Sequence, residues 1–187
     1  MTCIVGLVRD GQVYLGGDSA SNSNDHGITI VKNPKVFRKG KFVMGYTSSW
    51  RMGQLIQYHF TPPEIAFQQD AMEYMVTSFI GGIRNLFKEG GWAKIENSQE
   101  HGGSFLVGYQ ERLFTIHADY QVAESANLYE AIGSGANIAL GALFTLTTAK
   151  NFAETSTQEV LQYALNASSR HNSGVAPPYT FVSTAEK

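Results

Sequence analysis

The chain has 187 residues, with 14 Lys and Arg against 16 Asp and Glu and a formal charge of −2 at pH 7. The basic residues are scattered, which argues against nucleic acid or an anionic membrane surface as a partner. No stretch approaches the ~20 apolar residues of a membrane span and the first residues lack a basic leader, so we expect one cytoplasmic domain over residues 1–187.

The first quarter of the chain is predicted to be almost entirely β. Residues 2–8 are apolar and β-branched, Asp10-Gly11 is a strong two-residue turn, and strand character resumes over 13–17. In a hairpin centred on that turn, antiparallel partners have numbers that sum to about 21, so residue 18 lies beside residue 3. A loop is predicted over Ser19–Gly27, followed by short strands over 28–31, 35–38 and 41–46.

Helices are predicted next. One follows Ser49 and ends at Pro62-Pro63, and a second covers 64–88, where apolar residues recur every three or four positions. Residues 90–103 are polar and glycine-punctuated. The remaining predicted elements are strands over 104–109, 112–117, 121–123 and 129–132, a helix from Gly135 through Leu146, a helix beginning near Ser156, and a strand over 179–184.

This element order is strands, two helices, strands, two helices and a strand. Two stacked antiparallel sheets with helices on both outer faces satisfy it, because each sheet then buries one face against the other sheet and one against helices. We therefore predict an α+β fold, arranged as a four-layer αββα sandwich.

Cysteine and histidine offer little metal chemistry. The single cysteine, Cys3, cannot form an internal disulfide, which agrees with a reducing compartment. The five histidines show neither the HExxH pattern nor any close pairing. We predict no metal site.

Gly17-Asp18-Ser19 is typical of a class of esterases with a serine nucleophile after the first strand. That chemistry needs a histidine base near the C-terminus with an aspartate three residues before it. The C-terminal histidine is His171, and the residue three before it is Ser168. The esterase interpretation is therefore disfavoured.

Gly133-Ser134-Gly135-Ala136-Asn137 resembles part of a dinucleotide-binding loop. The third glycine of GxGxxG is absent, and no βαβ unit surrounds the segment. A tight turn that leads into a helix explains the same residues.

Thr2 offers a third chemistry. A methionine aminopeptidase removes Met1 when the second residue is small, so the mature chain can begin with a threonine whose α-amine lies near its own hydroxyl. The α-amine has an ordinary pKa of about 7.7–8.0, which suits a general base, and one residue then supplies nucleophile and base. The predicted hairpin brings Asp18 to the same place, and Lys32 and Lys35 return on nearby strands.

Several motifs in order resemble the proteasome β-subunit family of N-terminal-nucleophile (Ntn) threonine peptidases, which includes a bacterial two-ring peptidase partnered with an ATPase. The motifs are Thr2 with Ile4-Val5, Arg9-Asp10-Gly11, Gly17-Asp18-Ser19, Lys35-Val36, Gly45-Tyr46-Thr47-Ser48 and Ala131-Ile132-Gly133-Ser134-Gly135. The resemblance covers the chain from Thr2 to about Leu146.

This resemblance implies a role for each matched residue. Thr2 matches the nucleophile, Asp18 the supporting acid, Lys35 the lysine that tunes the nucleophile, and Ser134 the serine near the α-amine. Lys35 is preferred over Lys32 because the family's lysine is followed by valine. The backbone N–H at Ser48 matches the oxyanion donor. The residues implied for substrate binding are Ser19, Gly45, Thr47 and Ser49.

The resemblance also implies peptide or unfolded-protein substrates, a homo-oligomeric ring, an ATPase unfoldase partner and catalysis without a cofactor. One departure is Arg170, which stands where the family has an aspartate three residues before a Ser-Gly pair. Another is Met1, because Thr2 carries no basic amine while Met1 remains. Two alternatives stay open: a non-catalytic ring subunit of the same fold, and an Ntn amidohydrolase of small amides.

Overall fold

The structure is a computed structural model that describes residues 1–23 and 27–185. The strands in this part of the chain are β1 (Ile4–Arg9), β2 (Gln12–Gly17), β3 (Ala20–Ser23), β4 (Gly27–Ile30), β5 (Val36–Lys39), β6 (Phe42–Tyr46), β7 (Lys94–Glu96), β8 (Gln99–His101), β9 (Phe105–Tyr109), β10 (Arg112–Ile116), β11 (Val122–Glu124), β12 (Tyr129–Ile132) and β13 (Thr180–Ser183). The α-helices are α1 (Trp50–Gln54), α2 (Ala71–Tyr74), α3 (Ile80–Glu89), α4 (Ala136–Thr148) and α5 (Thr157–His171).

The opening hairpin has the predicted register. Ile4 pairs with Gly17 and Arg9 with Gln12, around a turn in which Asp10 and Gly11 both have positive φ (52° and 71°). The pairing continues one residue further, because the Asp18 N–H donates to the Cys3 carbonyl over 3.3 Å. Asp18 therefore lies beside the first residues of the chain, as predicted.

Two larger antiparallel sheets carry most of the strands. The first has the order β12-β1-β2-β13 and the second the order β11-β10-β9-β6-β5. Every residue of β6 and β9 is buried. A strand that is buried at consecutive positions has both faces covered, which explains why these two read as continuous apolar runs rather than as alternating ones.

Three hydrophobic clusters account for this burial. One joins residues of the first sheet, such as Ile4 and Leu15, to residues of the second, such as Val43 and Leu106. A second joins β1 to α4 and α5, through Val5, Leu143 and Leu161 among others. The third packs the aromatic side chains of the second sheet against α1 to α3. Helices thus contact each sheet, as the element order predicted.

The loop predicted over Ser19–Gly27 is wrong in part. β3 and β4 form a two-stranded ribbon in which Ala20 pairs with Ile30 and Ser21 with Thr29. The residues of β4 are all exposed. No buried apolar alternation marks such a ribbon in the sequence, and for this reason its polar residues look like a loop. Residues 24–26 of the predicted loop lie outside the described residues.

The helix predicted over 64–88 begins later than expected. Asp70 caps α2 by accepting hydrogen bonds from the backbone N–H groups of Met72 and Glu73, and residues 64–70 are not helical. From α2 the helix continues through a π-helical turn (Met75–Phe79) into α3. The polar segment 90–103 contains the small hairpin of β7 and β8. Within the described ranges, no helix has the length and apolar character that crossing a membrane requires.

Candidate active site

Thr2 lies just before β1 and is held by the turn at residues 133–135. Its backbone N–H donates to Ser134 Oγ (3.2 Å), and its carbonyl accepts from the Gly135 N–H (3.2 Å). Gly133 has φ +100°, and a Cβ there would lie 2.3 Å from the Thr2 carbonyl oxygen. Only glycine fits this position, because any side chain would push Thr2 away.

The Lys35 ammonium connects the residues predicted to be catalytic. Its Nζ donates to Thr2 Oγ1 (2.7 Å), Asp18 Oδ1 (2.8 Å) and the Ala20 carbonyl (2.6 Å). An ammonium has three N–H donors, so all of its donors are used. Lys32, the alternative that the sequence offered, is exposed.

Asp18 is the buried counter-charge of Lys35. The exposed fractions are 1% for Asp18 and 2% for Lys35. Asp18 Oδ1 also accepts from the Cys3 N–H (3.0 Å), while Oδ2 accepts from the N–H groups of Ala20 (2.9 Å) and Ala176 (3.4 Å). A buried carboxylate with this many donors is compensated, and its geometry holds Lys35 in place.

Burial also changes two proton affinities at the site. The pKa of Lys35 is lowered from its ordinary value, because desolvation disfavours the ammonium more than Asp18 favours it. Burial raises the pKa of the Cys3 thiol to about 11. Cys3 is therefore not a thiolate near neutral pH, whereas the hydroxyl of Thr2 lies in direct contact with the Lys35 ammonium.

Ser134 is positioned by a residue that the sequence interpretation missed. Asn172 Nδ2 donates to the Ser134 carbonyl (2.8 Å), and Asn172 Oδ1 accepts from the Gly174 N–H (2.9 Å) and lies 3.3 Å from Ser134 Oγ. Arg170, at the family's aspartate position, is exposed. The signal for Asn172 was its place at the C-terminal cap of α5, two residues before a glycine.

Ser48 occupies a strained turn after β6. Its φ is +68°, which is uncommon for a residue with a side chain. The Ser48 hydroxyl accepts from the Ser104 N–H (3.2 Å), and the Ser104 carbonyl accepts from the Thr47 N–H (3.0 Å) and Thr47 Oγ1 (3.1 Å). These bonds tie the turn to the residue before β9 and keep its backbone in one conformation.

A cleft of about 80 Å³ opens at Thr2. Its lining residues are Met1, Thr2, Ala20, Ser21, Lys35, Tyr46, Thr47, Ser48, Ser49 and Trp50. The structure thus brings Thr2, Lys35 and Ser48 to one cavity, with two of the predicted substrate-binding residues, Thr47 and Ser49.

The other two predicted substrate-binding residues do not line this cleft. Ser19 is buried, its hydroxyl donates to the Pro178 carbonyl (2.5 Å), and its N–H donates to the Ala176 carbonyl (3.0 Å). Gly45 lies inside β6, where an added Cβ would lie 2.6 Å from a methyl carbon of Ile4. Ser19 thus binds the segment before β13 by hydrogen bonds, and Gly45 allows close packing of β6 against β1.

Met1 covers the edge of the site. It is 61% exposed and lies against Gly174, where a Cβ would come within 2.1 Å of the Met1 Cβ. While the Met1–Thr2 peptide bond is intact, the Thr2 nitrogen is an amide that donates to Ser134 and has no lone pair available to accept a proton. In residues 1–23 and 27–185, no three His, Cys, Asp or Glu side chains gather as a metal site would need.

Comparison with known proteins finds solved structures with a similar fold but no match by sequence. No family model matches, and no curated protein matches. Among solved structures, Thiobacillus denitrificans BPH in complex with epoxomicin has a TM-score of 0.77 at 20% identity, over 97% of both chains. Eukaryotic HslV from Trypanosoma brucei has a TM-score of 0.67 at 16% identity, over 97% of this chain and 98% of that one. Anbu, an ancestral β-subunit from Yersinia bercovieri, has a TM-score of 0.67 at 15% identity, over 97% and 81%.

The chain has the fold of these proteins. The proteasome β-type fold predicted from the sequence is therefore confirmed, over nearly the whole chain.

Proposed function

We propose that the protein is a threonine-type peptidase whose nucleophile is Thr2, exposed when the Met1–Thr2 bond is cleaved. The observation that carries this proposal is the hydrogen bond from Lys35 Nζ to Thr2 Oγ1, with Asp18 compensating the lysine from its other side. A buried ammonium against a hydroxyl favours the alkoxide, and this is what a weak oxygen nucleophile needs.

The catalytic steps follow from these positions. Cleavage of the Met1–Thr2 bond turns the Thr2 nitrogen into an α-amine beside Ser134 Oγ. As Thr2 Oγ attacks the carbonyl carbon of a peptide bond, its proton passes to that amine, directly or through a water. The Ser48 backbone N–H donates to the oxyanion of the tetrahedral intermediate.

Collapse of this intermediate breaks the C–N bond, and the proton held by the α-amine goes to the leaving nitrogen. The product is an ester between Thr2 Oγ and the acyl part of the substrate. A water molecule, deprotonated by the same amine, hydrolyses the ester and restores the hydroxyl. Lys35 keeps its positive charge beside Oγ throughout, and Asp18 keeps Lys35 in place.

The arrangement around the site is proposed on the same basis. The chain forms a single domain with αββα layering and assembles into a homo-oligomeric ring in the cytoplasm, with peptides or unfolded proteins as substrates and an ATPase unfoldase as partner. The three hydrophobic clusters support the layering. The fold likeness to HslV and Anbu supports the ring.

The test uses the chain released from an N-terminal fusion so that Thr2 is its first residue, here called the Thr2-initiated chain. We expect it to hydrolyse fluorogenic peptides, with activity retained in Thr2→Ser and lost in Thr2→Ala. The chain that keeps Met1, confirmed by intact mass, is the matched control and should be inactive.

Other outcomes would contradict the proposal. Full peptidase activity of Thr2→Ala would exclude Thr2 as nucleophile. Hydrolysis of small amides in preference to peptides would indicate the amidohydrolase alternative. A folded Thr2-initiated chain with neither activity would indicate a non-catalytic subunit.

A further inference from the structure

Trp50 forms one wall of the cleft at Thr2. It is the first residue of α1, which Ser49 caps by accepting a hydrogen bond from the Arg51 N–H. The indole is half-buried and lines the same cavity as Thr2 and Lys35. The other aromatic residue of the lining, Tyr46, belongs to β6.

Three contacts fix the indole in one orientation. Its Nε1 donates to Ser21 Oγ (3.1 Å), which links α1 to the β3–β4 ribbon. The Tyr46 ring meets it edge-on, at a centroid distance of 5.8 Å and an angle of 80°. Lys35 Nζ lies 5.7 Å from the ring centroid, within the range of a cation–π interaction. These three contacts favour one orientation of the indole.

The position of this wall relative to the nucleophile follows from Lys35. The same Nζ that donates to Thr2 Oγ1 over 2.7 Å lies 5.7 Å from the Trp50 ring centroid. Thr2 Oγ1 and the Trp50 ring therefore both lie beside one ammonium, and both residues line the same cleft. A substrate side chain that enters this cleft from the attacked carbonyl meets the Trp50 ring.

The cleft is also small. With Met1 among its lining residues, the cleft has a volume of about 80 Å³, roughly half that of a ~150 Å³ protein cavity that accepts benzene. Loss of Met1 enlarges this space on one side and leaves the Trp50 wall, so we expect side chains the size of alanine, serine, threonine or valine to fit beside the ring better than an aromatic one.

Charge gives a second restriction. Among the described lining residues, Lys35 is the only one with a charged side chain, and its three donors are already used. The hydroxyls of Ser21, Ser48 and Ser49 each accept a hydrogen bond from the protein itself. The described lining therefore has no unpaired charged side chain that could pair with an acidic or basic side chain of a substrate. Burying an unpaired charge there is unfavourable.

From these observations we infer that Trp50, held by Ser21 and Tyr46, restricts substrates to those with a small uncharged side chain on the acyl side of the scissile bond. The inference rests on the proposed peptidase function and names its substrate class. The Trp50 ring limits the size of the side chain. Charged side chains are disfavoured because all three donors of Lys35 are already engaged.

The experiment measures binding of peptide boronates that differ only in the side chain beside boron: alanine, valine, leucine, phenylalanine and glutamate. Thr2 Oγ adds to the trigonal boron, its proton passes to the α-amine, and the tetrahedral adduct mimics the intermediate. For the Thr2-initiated chain we expect the alanine and valine boronates to bind at least about tenfold more tightly than the phenylalanine and glutamate ones.

Variants at position 50 separate size from other effects. Trp50→Ala should tighten binding of the phenylalanine boronate by about tenfold or more, while alanine boronate binding changes much less. Trp50→Phe should bind the phenylalanine boronate with intermediate affinity. Because it keeps an aromatic ring in the cleft wall, it serves as the test if Trp50→Ala does not fold. Tyr58→Ala is the control: Tyr58 lies in the π-helical turn (Leu55–His59) that follows α1, is 63% exposed and is outside the cleft lining, so its removal should leave the order unchanged.

The outcomes distinguish this inference from the function on which it rests. Boronate binding that requires the Thr2 hydroxyl but shows no size order, or a ratio that Trp50→Ala and Trp50→Phe both leave unchanged, overturns the role of Trp50 alone. Absence of any binding that depends on Thr2 overturns the peptidase proposal and the inference with it.

Discussion

Lys35 Nζ lies 2.7 Å from Thr2 Oγ1, and both residues are more than nine-tenths buried. Water is therefore largely excluded from this hydrogen bond, and the lysine's charge acts on the hydroxyl at close range. The contact joins Thr2 to the residue just before β5, and Asp18, the residue just after β2, completes it.

Removal of the Lys35 charge should abolish most of the activity. In the Thr2-initiated chain, we expect Lys35→Met to lower kcat/KM for a fluorogenic peptide by about 10²-fold or more, as loss of a preorganised electrostatic group does. Lys32→Met is the control, because Lys32 is an exposed lysine of the same segment. Equal losses in the two variants would show that Lys35 has no special role.

Stability should report the pairing of Lys35 with Asp18 separately from activity. Lys35→Met leaves the Asp18 carboxylate buried without its counter-charge, and we expect it to lower the free energy of unfolding by about 3–5 kcal/mol. Adding Asp18→Asn removes the orphaned charge and should restore much of that loss without restoring activity. Urea unfolding of the single and double variants measures both effects, and a double variant no more stable than Lys35→Met would contradict this account.

The pH dependence of the Thr2-initiated chain should have two limbs. Below the α-amine's ordinary pKa of about 7.7–8.0, protonation removes the general base, so kcat/KM should fall as pH falls. At high pH the loss of the Lys35 proton removes the charge beside Thr2 Oγ1. Because burial lowers the pKa of Lys35, this alkaline decline should begin below the ordinary lysine value of 10.5.

Kinetics from pH 6 to 10.5 test both limbs. If Lys35→Arg retains activity, its alkaline limb should disappear, because a guanidinium stays protonated over this range. A flat profile of kcat/KM between about pH 6 and 9 in the Thr2-initiated chain with Lys35 intact would count against the α-amine as the base.

Asn172 should influence catalysis through Ser134. Asn172→Leu removes both its donation to the Ser134 carbonyl and its acceptance from the Gly174 N–H, so we expect a loss of about tenfold in kcat and a shift in the acid limb of the pH profile. Arg170→Ala is the control, since that residue is exposed and lies on the same helix. An unchanged pH profile in Asn172→Leu would mean that Asn172 has only a structural role.

Local patterns were sufficient for much of the fold. The Asp10-Gly11 turn determined the register that brings Asp18 to Cys3, and the Ser156 capping box marked the start of α5. The ribbon of β3 and β4 was missed because its residues are polar and exposed. The start of α2 was missed because residues 64–70 carry helix-compatible residues, while the cap that begins the helix is Asp70.

Some residues of the candidate site could be predicted from the sequence, and others could not. Motif order was enough to select Thr2, Asp18, Lys35 and Ser134, which the structure links by hydrogen bonds. Asn172 could not be assigned to the site in this way, because its cap position marks only the end of a helix and its contact with Ser134 spans 38 positions. Trp50 has the same limitation, since only the folded chain places its indole against Ser21.

The close fit of Gly133 against the Thr2 carbonyl determines when the site can exist during synthesis. Residues 133–135 provide the hydrogen bonds that hold the Thr2 main chain, and they lie more than a hundred residues after it. A nascent chain that ends before this turn lacks these hydrogen bonds to the Thr2 main chain. The reactive centre is therefore completed late, after the whole second sheet and every strand of the first except β13 have been synthesised, and a chain that ends before residue 133 has no assembled nucleophile with which to damage itself or its neighbours.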